Sequence, residues 1–182
     1  TTPITIRNAF GSSTRTPAKL ADTLVEYIVV TLGLRGIIPA SPYEAKGIII
    51  SVVENNDPVL FMENLKLYRS MKDEIPEGKY TVPLDTAKVA KEGTDITLVA
   101  YSAEVNESLK AADALAKDNI SAAVIDLRSL SPIDTDTIFK SIEKTHKVVV
   151  IQEAQKMAGV GAHVASEIDE NATMDLAAPI GS

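Results

Sequence analysis

The chain has 182 residues and no cysteine; 45% of it is hydrophobic but only 4% aromatic, and 25 acidic against 18 basic residues give a formal net charge of -7. An acidic chain without a stripe of Lys and Arg is a poor partner for nucleic acid, whose phosphates need focused positive charge, and no apolar run reaches the roughly 20 residues that cross a bilayer. The composition predicts a Val/Ile/Ala-rich α/β core that does not rely on disulfides, resident in a bacterial cytoplasm or an organelle matrix.

Pro3 to Ile6 reads as a strand, followed by a Gly/Ser/Thr-rich loop from Gly11 to Thr16. Asp22 to Leu32 is apolar on nearly every side of a helix, which predicts burial or contact with another chain, self-association included. Gly36 to Pro39 reads as a short buried strand. Ser41-Pro42-Tyr43-Glu44 has the spacing of a capping box with proline at the first helical position, opening a helix from Pro42 to about Glu54. A second buried strand runs from Pro58 to Met62. Lys66 to Gly93 is charged, broken by Pro76, Gly78 and Pro83, and without sustained periodicity; it reads as a linker between domains.

Alternation then returns: strand Ile96 to Ala100, helix Val105 to Lys117, strand Ala122 to Asp126, helix Thr135 to Lys144, strand Lys147 to Ile151, and a helix from Gly159-Val160-Gly161 to about Asn171. Strands alternating with helices predict parallel sheets covered on both faces. In Asp126-Leu127-Arg128-Ser129-Leu130-Ser131-Pro132-Ile133-Asp134, Asp126 and Arg128 can pair where a buried strand ends, Pro132 stops the strand, and Asp134 can cap the next helix.

Few residues carry chemistry on their own pattern. His146 and His163 have no second His or Cys at ligand spacing, so neither reads as a metal ligand. Gly159 and Gly161 lack the third glycine and downstream acid of a dinucleotide fingerprint and read as a packing turn. Ser102, Ser129 and Ser131 lie near strand ends without His and Asp partners and read as caps. Glu104, Glu107 and Lys110 have the spacing of a solvated helix face. Asn55, Asn56 and Asp57 read as turn formers.

Taken together, Pro39 to Gly47, Asn56-Asp57-Pro58-Val59, Leu65 to Arg69, Ile75 to Gly78, Asp126 to Asp134, Glu143-Lys144-Thr145 and Gln152 to Lys156 resemble the beta subunit of the pyruvate dehydrogenase decarboxylating component. The resemblance runs from about Thr2 to Ile180. It implies residues 1-65 as part of a pyrimidine-binding domain, 66-93 as a linker, and 94-182 as most of a transketolase-type carboxyl-terminal domain, the chain beginning inside the first and stopping before the last strands of the second. The implied activity is oxidative decarboxylation of pyruvate with transfer of acetyl to a lipoyl group. It proceeds in an α2β2 heterotetramer with thiamin diphosphate and magnesium, held mostly by the alpha subunit, beside the acyltransferase core of a multienzyme complex.

The resemblance departs at one position that matters. Leu20 stands where the family has a histidine, and Arg15 where it has another, so the acid/base role expected there has no side chain to perform it. The chain on its own is therefore expected to be inactive. The resemblance further implies potassium held by the backbone carbonyls of Ile4, Val52, Asn55 and Asp57, and a tie between the domains through Tyr68 and Arg69. A branched-chain 2-oxo acid dehydrogenase beta subunit, another thiamin enzyme, and a non-catalytic interaction or scaffold module remain alternatives.

Overall fold

The computed structural model describes residues 2–11, 34–154, 156–157 and 159–182. Leu20, Arg15 and the expected helix from Asp22 to Leu32 lie outside the described residues. Two four-stranded sheets form the frame. The first consists of β1 (Thr5–Phe10), β3 (Val59–Asn64), β2 (Arg35–Ile37) and β7 (Ser129–Ser131) in that spatial order; the second of β4 (Lys88–Lys91), β6 (Ala122–Asp126), β5 (Ile96–Ala100) and β8 (Val148–Ile151). Helices α1 (Pro42–Val53), α2 (Ala103–Leu115), α3 (Thr135–Thr145) and α4 (Val160–Ala172) pack against them. The α/β class expected from the alternation holds, with helices on both faces of the second sheet.

Register shows how the pattern is spent. In β3, Val59 and Phe61 point to α1 and meet Ile48, Val52 and Val82, while Leu60 and Met62 point the other way. On that side they join Val99 and Ile125 of the second sheet and Ile138, Ile142, Val164 and Ile168 of α3 and α4 in one continuous core. Leu98 and Ala100, alternating with Val99 along β5, pack under Val105 and Ala112 of α2. The two sheets therefore share apolar contacts across their junction.

Three details differ from the expectations. Lys88–Lys91, inside the stretch read as linker, is an antiparallel edge strand on β6, with Val89 opposite Ile125; Val89 is exposed and Ala90 alone packs against the core, which leaves too little periodicity to read. Ser129–Ser131 is a strand rather than a pair of caps, and it leaves the second sheet to pair antiparallel with β2 of the first. Each sheet is thus parallel with one antiparallel edge. Pro132 follows the last residue of β7, so it closes that strand and not β6, which already ends at Asp126.

Local capping is close to the reading. Ser41 Oγ accepts the Glu44 N–H at 3.2 Å, with proline next inside the helix. Asp134 accepts the Thr137 N–H at 3.1 Å and also the Ala87 N–H at 2.9 Å, so one carboxylate caps α3 and anchors the approach to β4.

Candidate functional site

The C-terminal ends of β1 and β3 meet those of β5 and β8, the region where α/β sheets commonly place their ligands. Asn64, 2% exposed at the end of β3, bridges the two sheets: its Nδ2 donates to Glu153 Oε2 at 3.1 Å and its Oδ1 accepts the Lys66 N–H at 2.9 Å. Lys66 Nζ lies 3.0 Å from Glu153 Oε1 and 4.0 Å from Glu104 Oε1. Burial holds the Glu104 carboxyl above the usual range, with Lys66 pulling the other way; Glu104 is half-buried rather than solvated as its spacing suggested. Gly11 has φ +86, and a Cβ there would stand 2.9 Å from Asn64 Oδ1, so the strand end needs glycine for both conformation and clearance. The ammonium between two carboxylates makes this cluster a polar bolt between the sheets.

A second polar cluster sits at the corner between β6 and β7. Glu44 and Asp126 are each 1% exposed. Arg128 donates to Glu44 Oε1 through Nε at 3.1 Å and Nη2 at 2.8 Å, and Lys88 Nζ reaches the same oxygen at 3.0 Å. The local pairing expected of Asp126 with the Arg128 guanidinium is not formed. Asp126 instead accepts the Arg128 backbone N–H at 3.1 Å, and the guanidinium turns to a glutamate 84 residues away. Glu44 likewise leaves its capping box half made, because its side chain is drawn to these cations rather than back to the helix start. Burial works against Glu44 ionising, but Arg128 and Lys88 outweigh it and hold its carboxyl below the usual range. Burial first, and then the Glu44 charge, push Asp126 well above it.

The other predicted residues fall as follows. The Ile4 carbonyl accepts the Val59 N–H at 2.9 Å and the Val52 carbonyl the Asn55 N–H at 3.1 Å, so the start of β1 lies beside the turn that contains Asn55 and Asp57. Asp57 pairs with Arg35 at 3.1 Å. Tyr68 OH is 3.5 Å from Glu63, on β3 of the first sheet; the bolt between sheets is Asn64 and Lys66 with Glu153 instead. His146 shares its Nδ1 with the Asp175 carbonyl at 2.8 Å. Gly161 N donates to Gln152 Oε1 at 2.6 Å, the close contact of a packing turn. Ser102 occupies the N-cap position of α2 but makes no capping hydrogen bond. Among the described residues, no group of three or more His, Asp or Glu could hold a metal ion. A cavity of about 190 Å³ lies between Pro42 and Ala45 of α1 and Leu67, Tyr68 and Met71, with Glu63 and Asn64 at one wall.

Sequence reading missed Glu44, Lys88, Asn64 and Glu153 as a set, because each gains its role from a partner distant in the chain. The one signal was local: a glutamate at the third position of a helix otherwise buried on that side.

Known proteins place this frame. A split-gene transketolase, an inactive beta4 tetramer, superposes with a TM-score of 0.78 at 24% identity, covering 97% of this chain and 55% of that one. Two joined sheets of this topology therefore define a transketolase-type α/β fold. The model of the transketolase C-terminal domain matches residues 85–182, a range that takes in β4, and the chain belongs to that family. It is 51% identical over 180 residues to the pyruvate dehydrogenase E1 component subunit beta of Bacillus subtilis (strain 168), covering 99% of this chain and 55% of that protein. The same subunit of Staphylococcus aureus (strain Mu50) is 51% identical over 181 residues, covering 100% and 56%. The chain spans about half the length of the curated relatives it matches. Among the described residues, no helix is long and apolar enough to cross a membrane.

Proposed function

We propose that this chain serves as part of a pyruvate dehydrogenase beta subunit, the end of its pyrimidine-binding domain and most of its carboxyl-terminal domain, working with an alpha subunit in oxidative decarboxylation of pyruvate and transfer of the acetyl group to a lipoyl group. The observation that carries this reading is 51% identity sustained across 99% of the chain, over both sheets rather than one. The described donor set does not itself fit thiamin diphosphate with magnesium. Lys66 engages Glu104 and Glu153, Asn64 uses both of its amide atoms, and no described carboxylate group has metal-binding geometry. In this reading the groups that hold the cofactor come from the alpha subunit and from beta-subunit residues outside those described. What this chain's own residues do is set the two sheets against each other, through the Asn64–Glu153–Lys66 bolt and the Glu44–Arg128 corner, and so present a fixed surface to the alpha subunit.

The same reading places a monovalent cation at the carbonyls of Ile4, Val52, Asn55 and Asp57. A carbonyl oxygen carries two lone pairs, so that of Ile4 keeps one beyond the hydrogen bond it accepts from the Val59 N–H. Assaying thiamin-dependent pyruvate decarboxylation tests the function: the chain alone should show no turnover, Leu20 offering no proton-transferring group. Turnover by the purified chain without an alpha subunit would overturn the division of labour stated here.

A further inference from the structure

Within the few residues from Asp126 to Ser129 the chain passes from the second sheet to the first. Arg128 makes the turn with φ +55, in the left-handed region that only glycine enters without strain. Its carbonyl accepts the Ile38 N–H at 2.7 Å, and Ser131 Oγ donates to the Leu34 carbonyl at 3.1 Å, so β7 is fastened to β2 on both sides of the corner. Beneath that corner lie Glu44 and Asp126, both shut off from solvent and both tied to the same two residues: Arg128 gives its backbone N–H to Asp126 and its guanidinium to Glu44, and Lys88, opposite Asp126 in the ladder, also reaches Glu44. The cations are unevenly shared. Arg128 Nε, Arg128 Nη2 and Lys88 Nζ all point to Glu44 Oε1; among the described residues no cation reaches the second Glu44 oxygen, and the Asp126 carboxylate accepts the Arg128 backbone N–H.

We propose that Asp126 and Glu44 share one proton across this corner, and that the shared proton is a pH-operated latch holding β7 in the first sheet. The proton resides on Asp126, which donates it to Glu44 while accepting the Arg128 N–H. The charged groups facing the pair are Lys88 from β4 and Arg128 from the turn; β5 contributes Ala100 opposite Asp126 in the ladder, which is uncharged. The next carboxylate along the chain, Asp134, is engaged by Ala87 and Thr137. When the proton is lost, two buried carboxylates confront each other, and Lys88, whose side chain is 45% exposed, is too well solvated to neutralise the second. A carboxyl raised in the folded state contributes stability that is present at low pH and lost as pH rises through its folded value, so the latch is closed in acid and opens toward alkali.

Amide hydrogen exchange on the full chain tests the latch, read as protection factors so that intrinsic base catalysis is removed. The reporter is the Ile38 amide, bonded to Arg128 across the corner; the internal reference is the Thr97 amide, bonded to the Lys147 carbonyl at 2.8 Å within the second sheet. As pH rises from acid to alkaline, Ile38 should lose protection, tenfold for each pKa unit by which the folded corner raises Asp126, while Thr97 holds. Asp126→Asn, which keeps a donor toward Glu44 but cannot ionise, should abolish the pH-dependent loss at Ile38. Parallel pH profiles for Ile38 and Thr97 in the unsubstituted chain would overturn the proposal, as would an Asn variant that still loses Ile38 protection. If the Asn variant does not fold, the comparison within the unsubstituted chain decides.

Discussion

Replacing Glu44 with glutamine tests how much of the junction rests on one buried charge. Glu44 is 1% exposed and its Oε1 receives three donors between 2.8 and 3.1 Å. The two cations respond differently: Lys88, with a side chain 45% exposed, can turn to water, but Arg128, at 13%, cannot. Stranding a buried cation by removing its partner costs about 3–5 kcal/mol. The structure argues for the lower end, about 3 kcal/mol, because glutamine still accepts through its amide oxygen, and because Asp126, freed of the Glu44 charge that helps hold it neutral, can ionise and partly replace it. The assay is urea unfolding monitored by circular dichroism, where a lower midpoint at unchanged slope reports stability alone. Arg128→Met should cost a similar amount, and the double variant markedly less than the two single costs combined, since it strands no charge on Arg128 or Glu44. A Glu44→Gln cost under about 1 kcal/mol, or additive costs in the double variant, would refute the assignment of the corner as a coupled buried ion pair.

Other outcomes follow from single contacts. Gly93→Ala would drive a Cβ to 2.1 Å from Ala123 N and 2.2 Å from the Ala122 carbonyl carbon, both backbone, so it should cost about 3 kcal/mol or prevent folding, measured by the same unfolding curve. Asp134→Ala should cost about 1 kcal/mol by removing the α3 cap. Despite partial burial, hydrogen bonds from Thr137 and Ala87 hold the Asp134 carboxyl below the usual range, so its contribution is present above the ordinary carboxylate value and fades as pH falls through the folded one. The variant's deficit should therefore shrink in acid, and a deficit constant with pH would count against it. Exchanging potassium for tetramethylammonium should lower the melting temperature, since an ion at about 100 times its Kd adds about 2.7 kcal/mol to the folded state; an unchanged melting curve removes the cation site.

What could be read from the sequence was what is local. Ser41-Pro42 announced α1 and Asp134 announced α3, because a cap bonds within its own turn and so leaves a short-range signature. The buried strands Ile96–Ala100 and Ala122–Asp126 were legible as apolar runs between helical patterns. The corner was not. Three residues of strand, Ser129–Ser131, have no period to detect, and their partner β2 lies in the other sheet. Arg128 had an acid two residues away, yet its guanidinium chose Glu44, since the local carboxyl is already bound to the Arg128 backbone. Glu104 read as surface because helical spacing shows which face a residue is on, not that Lys66 comes to cover it.

The most direct test of the proposed function is sedimentation of the purified chain with the alpha subunit of the Bacillus subtilis relative's enzyme, at micromolar concentrations and physiological salt. A heavier boundary containing both chains is the expected result, and it should weaken in the Glu44→Gln variant, whose sheets are no longer held in the same relation. Independent sedimentation of the two chains across that concentration range would contradict the reading of this chain as the alpha-binding part of a pyruvate dehydrogenase beta subunit.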